Sequence, residues 1–216
     1  MPPPPCLEEE KSKADGDYKC GNVLQRLKND FENKCYICEY KDPPSINVEH
    51  FRPHLGDNNL KFAWDNLFWA CVHCNNTKGD RFADILNCTN PEHDVENWLK
   101  YEIEEHFPRM KVKITAQRDD TIVANTVKLL LEVYNGTTPL KIIEAENTRS
   151  VMSSELSNFR YSLEKYLDGC EEEEEKEYHL ENIKRHLKKS SAFTAFKRWI
   201  VKSSPGYREE FGRYFD

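Results

Sequence analysis

Two pairs of cysteines in the first half of the chain have the residue types and the spacing of metal ligands. Cys35 and Cys38 form one CxxC unit, and Cys71 and Cys74 form a second. A two-residue spacer lets both thiolates of a unit reach one tetrahedral ion, and two units complete a closed shell of four sulfurs around zinc. Such a shell has no open position, so we predict a structural zinc. The alternative is a pair of redox-active CxxC motifs.

The residues between and after these units could hydrolyse a phosphodiester bond. Glu49 and His50 are adjacent on a predicted strand, Asn66 lies in the return segment, and Asn75 lies near the start of a predicted helix at the second CxxC unit. This order brings an imidazole and two oxygen ligands to one face. A neutral histidine can take a proton from water, while oxygen-ligated Mg²⁺ neutralises charge on the phosphate.

The segment from about Lys34 to Phe82 resembles the HNH endonucleases. The resemblance rests on the strings CYICE, INVEHFRPH and WDNLFWACVHCNNTKGDRF. It implies a ββα-metal core clipped by a four-cysteine zinc. Its site residues would be a metal ligand at Glu49 and the general base at His50.

The same resemblance implies roles for three residues that follow in the chain. Asn66 would fix the loop between strand and helix, Asn75 would be the second metal ligand, and Lys78 would lie near the scissile phosphate. Arg52 and His54 would be further phosphate contacts. Asparagine replaces the histidine ligand common in the family, and this change favours Mg²⁺ or Mn²⁺ at the catalytic site over a softer ion.

The resemblance and the periodicity together predict an α+β fold with three regions. We expect a mobile N-terminal arm at residues 1–17, a zinc-clipped nuclease core at 18–98, and a mainly helical C-terminal region at 99–216. Within the last region, two strands precede helices at about 121–136, 140–168, 176–189 and 192–203, and Pro205-Gly206 is a predicted break.

The residues beyond Phe82 more faintly resemble the HNH proteins of Septu-type and retron-type antiphage systems. This likeness implies that the helical C-terminal half docks on a partner ATPase. The alternative is a helical cap that completes a stand-alone nuclease. The sequence specifies no oligomeric state.

Charge and the remaining cysteines limit the class of protein. The 216-residue chain has a net charge of -7, which argues against coating nucleic acid through bulk electrostatics. The chain has neither an apolar run long enough for a bilayer nor a signal peptide, so we expect a cytoplasmic protein without membrane contact. Four cysteines without a CxxC partner are predicted to be free thiols: Cys6, Cys20, Cys88 and Cys170.

The C-terminal residues 183–216 are basic and rich in aromatic side chains. Nine Lys and Arg stand against three acidic residues in this stretch. Such a segment can line a groove for nucleic acid, but aromatic residues at helical spacing are more often core. We therefore favour the core interpretation.

These observations predict a metal-dependent HNH endonuclease that acts on nucleic acid, with DNA favoured over RNA. The alternative is a non-catalytic, zinc-clipped binding or adaptor module. The full set of candidate site residues argues against a decayed site.

Overall fold

The structure is a computed structural model that describes residues 2–104, 110–168 and 172–216. The described residues form ten α-helices and four strands. The helices are α1 Cys6–Lys11, α2 Val23–Asp30, α3 Asn58–Phe62, α4 Val72–Lys78, α5 Val95–Trp98, α6 Thr121–Asn135, α7 Pro139–Leu167, α8 Glu173–Leu187, α9 Thr194–Lys202 and α10 Pro205–Phe211. The strands are β1 Ile46–His50, β2 Leu67–Cys71, β3 Leu99–Glu104 and β4 Lys111–Ala116.

The chain divides into two compact units. The first contains Met1–Val95 and Asp119–Val133, and the second contains Glu96–Arg118 and Tyr134–Asp216. The α+β class with a mainly helical C-terminal half is confirmed. The region boundaries at residues 17 and 98 stay a prediction. None of the described helices combines the length and the apolar character needed to cross a bilayer.

The centre of the first unit is a β-hairpin followed by a helix. Strands β1 and β2 pair antiparallel, with Glu49 opposite Phe68 and His50 opposite Leu67. Every residue of β2 is buried, which explains its unbroken apolar sequence LFWAC. Helix α4 follows directly and packs on both strands. This is the ββα order that the sequence predicted.

Helices α1, α2 and α3 contribute to an apolar core beside this hairpin. The core joins residues from the helices to inward-facing residues of both strands. Its buried members are Leu7, Val23, Leu27, Val48, Phe62, Leu67 and Trp69. This core fixes the backbone of β1, and therefore the strand end that carries Glu49 and His50.

Two of the predicted free thiols form a disulfide instead. Cys6 and Cys20 are bonded, with a Cα–Cα distance of 6.1 Å. Folding of α1 against the first core brings the two residues together, a long-range contact that their spacing does not signal. Cys88 is a free, exposed thiol, as predicted. Cys170 lies outside the described residues.

The segment expected to be a mobile arm contains helix α1. Leu7 on this helix is only 1% exposed and belongs to the first core. Its burial supplies the packing that a six-residue helix needs in order to persist. The mobility of residues 2–5, which precede this helix, stays a prediction.

The second unit combines a hairpin with the helices α7 to α10. Strands β3 and β4 pair antiparallel from Leu99–Ala116 to Glu104–Lys111. Helix α7, predicted from a stretch without Pro or Gly, packs on α8, and α9 packs on β3. A second apolar core contains Phe159, Leu163, Ile183, Leu187, Val201 and Phe211.

The basic, aromatic C-terminal stretch belongs largely to this second core. Phe193, Phe196 and Phe211 are at most 2% exposed. Lys197 is also fully buried and donates to Glu155, and Arg198 pairs with Glu96. These cations neutralise acidic side chains of the same unit, so the core interpretation of the stretch is confirmed.

Pro205 begins a helix, whereas the sequence predicted only a break. It occupies the first turn of α10, where proline lacks an N–H that the helix would leave unbonded in any case. The break therefore separates α9 from α10, and Phe211 on α10 is buried.

Candidate active site and zinc clip

The four paired cysteines come together in the first unit. The Sγ atoms of Cys35, Cys38, Cys71 and Cys74 all lie within 4.8 Å of one another, and all four residues are buried. The Cys38 and Cys71 Sγ atoms are 3.8 Å apart. Tetrahedral ligands at a Zn–S distance of about 2.3 Å have sulfurs about 3.8 Å apart. The cluster therefore fits a four-sulfur zinc clip.

Buried thiols of the cluster shift one another's pKa. Burial alone would raise the pKa of Cys35, yet hydrogen bonds from the other three thiols hold that pKa well below its ordinary value. Burial and the neighbouring sulfurs raise the pKa of Cys74 well above it. A bound zinc ion would stabilise all four groups as thiolates, because thiolates are its ligands.

A solvent-accessible cleft lies where the end of β1 meets α4. Its volume is about 710 Å³. The hairpin presents Glu49 and His50 to the cleft, and the helix presents Asn75. The ββα geometry therefore brings Glu49, His50 and Asn75 to one cleft, although Glu49 and Asn75 are 26 positions apart in the sequence. The cleft is also lined by His54 and Asp80.

Glu49 forms a buried ion pair with Lys78 on α4. The Lys78 Nζ lies 2.7 Å from Glu49 Oε1 and 3.1 Å from the His50 carbonyl oxygen, to which it also donates. The Lys78 side chain is fully buried. Burial raises the pKa of Glu49, although the ammonium of Lys78 opposes this shift. Lys78 thus holds one of the two carboxylate oxygens of Glu49.

The imidazole of His50 is held by a backbone acceptor. Its Nε2 lies 3.0 Å from the carbonyl oxygen of Lys61. A carbonyl can only accept, so Nε2 carries the proton and Nδ1 keeps its lone pair. Burial lowers the pKa of His50, the hydrogen bond to the Lys61 carbonyl oxygen opposes this shift, and the positive charge of Lys78 adds to it. The ring is therefore neutral near pH 7, as a general base must be.

Asn66 connects the two sides of the loop after β1. Its Oδ1 accepts from the Arg52 N–H at 2.7 Å, and its Nδ2 donates to the carbonyl oxygens of Arg52 and Leu60 at 2.9 and 3.0 Å. The side chain is buried, with 3% exposure. These bonds satisfy one backbone N–H and two backbone carbonyl groups. Asn66 thus holds the loop that follows His50.

Arg52 and His54, the two further predicted phosphate contacts, differ in position. His54 lines the cleft, and its ring lies edge to face with that of His50 at a centroid distance of 4.6 Å. Its Nδ1 accepts from the Gly56 N–H, so Nε2 carries a proton that it could donate to a phosphate oxygen. Arg52 is exposed, and its backbone rather than its side chain makes the contacts described above.

Three residues around the site were not predicted from the sequence. Asp80 lines the cleft from the short turn Gly79–Arg81 that follows α4. Its position two residues after Lys78 could have indicated it. Tyr18 and Lys61 contact His50, but they come from segments whose position depends on the tertiary fold.

Comparison with known families supports this geometry. Residues 35–81 match the family model of the HNH endonuclease. The match covers less than a quarter of the chain, from the first cysteine of the zinc clip to the turn after α4. Searches among curated proteins and among solved structures gave no significant match. Residues 35–81 are thus an HNH endonuclease domain, and its four-cysteine cluster could form a zinc clip.

Proposed function

We propose that this protein is a metal-dependent endonuclease that hydrolyses phosphodiester bonds of nucleic acid, with DNA as its preferred substrate. The observation that carries the proposal is the cleft that joins a neutral His50 to the oxygen donors of Glu49 and Asn75. The HNH family assignment of residues 35–81 supports a nuclease in general.

In the proposed reaction His50 is the general base. Its Nδ1 lone pair accepts a proton from a water molecule in the cleft, and the oxygen of that water attacks phosphorus in line with the departing 3′ oxygen. The hydrogen bond from Nε2 to Lys61 holds the ring in the required tautomer. The proton of Nε2 on His54 would bind a non-bridging phosphate oxygen. The products carry 5′-phosphate and 3′-hydroxyl ends.

The donors in the cleft suit a hard divalent ion. Glu49 Oε2 and the amide oxygen of Asn75 would hold Mg²⁺ or Mn²⁺, which prefer oxygen ligands. When bound, the ion neutralises charge on the phosphate and on the departing oxygen. Lys78 fixes the carboxylate from the buried side through its 2.7 Å contact with Oε1. We therefore assign Lys78 a positioning role, together with Asn66 as the residue that holds the loop.

An experiment with several substrates separates this proposal from the adaptor alternative. Supercoiled plasmid, linear DNA and a structured RNA are incubated with the protein, with and without Mg²⁺ or Mn²⁺. An endonuclease cuts only with the ion, and the Glu49→Gln variant needs a higher ion concentration. An adaptor binds nucleic acid with equal strength with or without the ion and leaves the backbone intact.

We further propose that the nuclease works with a partner ATPase in antiphage defence. The likeness of the residues beyond Phe82 to Septu-type and retron-type proteins supports this. Leu140 and Ile143 on α7 are also 66% and 56% exposed, one helical turn apart. An ATPase that copurifies with the tagged chain should be lost when both residues are changed to Asp. Retention of the ATPase by that variant would contradict docking at this face.

A further inference from the structure

The loop closed by the Cys6–Cys20 disulfide contacts the candidate general base. The Tyr18 ring lies edge to face with the His50 ring, with the centroids 4.6 Å apart. Tyr18 is partly buried and packs against the first apolar core. An aromatic ring in this position limits the rotation of the imidazole, because the two rings prefer a defined geometry.

A second contact joins the same loop to His50 through Lys61. The Lys61 carbonyl oxygen accepts from His50, and the Lys61 Nζ donates to the Gly16 carbonyl oxygen at 2.9 Å. His50 is therefore reached from the loop in two ways, directly by the Tyr18 ring and indirectly through Lys61. The hydrogen bond uses Nε2 and the Tyr18 contact uses the ring, so neither of these two contacts takes the Nδ1 lone pair.

The loop itself has a fixed path. The disulfide closes it at one end, and Leu7 anchors α1 in the core. At Gly16 the backbone passes so close to α1 that a Cβ would lie 1.9 Å from the Glu10 carbonyl oxygen. The Glu10 carboxylate accepts from the Asp17 N–H at 2.9 Å. The residues before Tyr18 therefore have little freedom to move.

We propose that Tyr18 is a positioning residue for His50 and that the disulfide-closed loop keeps it in place. The inference rests on the proposed nuclease function and deepens it, because it assigns the loop the task of orienting the base. Opening the disulfide should release Tyr18 and lower the rate of cleavage. The contact uses the ring and not the hydroxyl, so phenylalanine should replace tyrosine.

The test compares four variants of the full chain with the wild type under the ion that supports cleavage. Tyr18→Ala and the double variant Cys6→Ser with Cys20→Ser should each lower kcat about 10- to 100-fold at similar KM, since misplacing a reacting group has effects of this size. Tyr18→Phe should stay within about twofold of the wild type. Asp15→Asn, an exposed change in the same loop, is the matched control and should have no effect.

Nuclear magnetic resonance of His50 gives a readout independent of cleavage. The side-chain couplings of His50 should show one rotamer in the wild type and in Tyr18→Phe and averaging over several rotamers in Tyr18→Ala, while the melting temperature of Tyr18→Phe equals that of the wild type. A single His50 rotamer in Tyr18→Ala, or an unchanged kcat in that variant, would overturn the proposal. If the wild type does not cut, the nuclease proposal fails, and the His50 rotamer alone decides whether Tyr18 orients the ring.

Discussion

The Lys78 ammonium lies 2.7 Å from the Glu49 carboxylate, and the lysine side chain has no exposed surface. A cation of a nuclease would be expected to face the phosphate, yet here it lies beneath a candidate metal ligand. Its charge offsets the burial of Glu49 and fixes one carboxylate oxygen. The pair thus links the stability of the ββα core to the geometry of the site.

Removal of one partner of the Glu49–Lys78 pair should destabilise the fold. Lys78→Met leaves the buried Glu49 without its partner and should reduce the free energy of unfolding by about 3–5 kcal/mol. Adding Glu49→Gln should restore much of that stability, because no unpaired charge is left, but cleavage should stay absent. Urea unfolding of the two single variants and the double variant measures this coupling. Additive effects would show that the pair contributes nothing.

Replacement of Asn66 by alanine or by aspartate should destabilise the fold. Asn66→Ala leaves three backbone groups without partners and should lower the free energy of unfolding by about 2–3 kcal/mol. Asn66→Asp should be worse, because a carboxylate would face the carbonyl oxygens of Arg52 and Leu60. Thermal unfolding of both variants checks the order. An Asn66→Asp variant that is more stable than Asn66→Ala would contradict the bonding described here.

The zinc clip should hold one ion per chain and support the fold. Cys71→Ser should lose the ion and unfold at a lower temperature, because binding of structural zinc is coupled to folding. Cys88→Ser is the matched control, since Cys88 is free and exposed. Native mass spectrometry and thermal unfolding give the two readouts. If the wild-type protein without zinc melted at the same temperature as the zinc-loaded protein, a structural zinc would be refuted.

The stability of the second unit should depend on pH through His186. Burial and the Lys197 charge lower the pKa of His186 from 6.5 to about 4 in the folded chain. The unfolded chain therefore binds the proton first as the pH falls from 6.5, which favours unfolding. Relative to His186→Gln, the wild type should lose about 3 kcal/mol between pH 6.5 and 4. Parallel stability curves for the two proteins would contradict a largely buried, neutral His186.

Local patterns in the sequence predicted the parts of the site that lie close together in the chain. The CxxC spacing indicated the sulfur cluster, and the strand pattern of INVEHF placed Glu49 and His50 at a strand end. The long helix α7 followed from the absence of Pro and Gly. In each case, neighbours within a few residues determine the geometry.

Contacts between distant segments were not predictable in the same way. The Cys6–Cys20 disulfide, the Tyr18 ring beside His50 and the Lys61 carbonyl depend on how α1 and α3 pack on the hairpin. The burial of Lys78 likewise depends on the angle between α4 and β1. No pattern of residue types marks such positions, because the tertiary packing creates them.

The central claim is that His50 is the general base of a metal-dependent nuclease, and one measurement tests it most directly. Cleavage of supercoiled plasmid is followed for the wild type and for His50→Ala, both purified identically and with equal melting temperatures. With Mg²⁺ or Mn²⁺ the wild type should cut, and the variant should be slower by about 10²- to 10⁴-fold. Equal cleavage by the two proteins would contradict the assignment of His50.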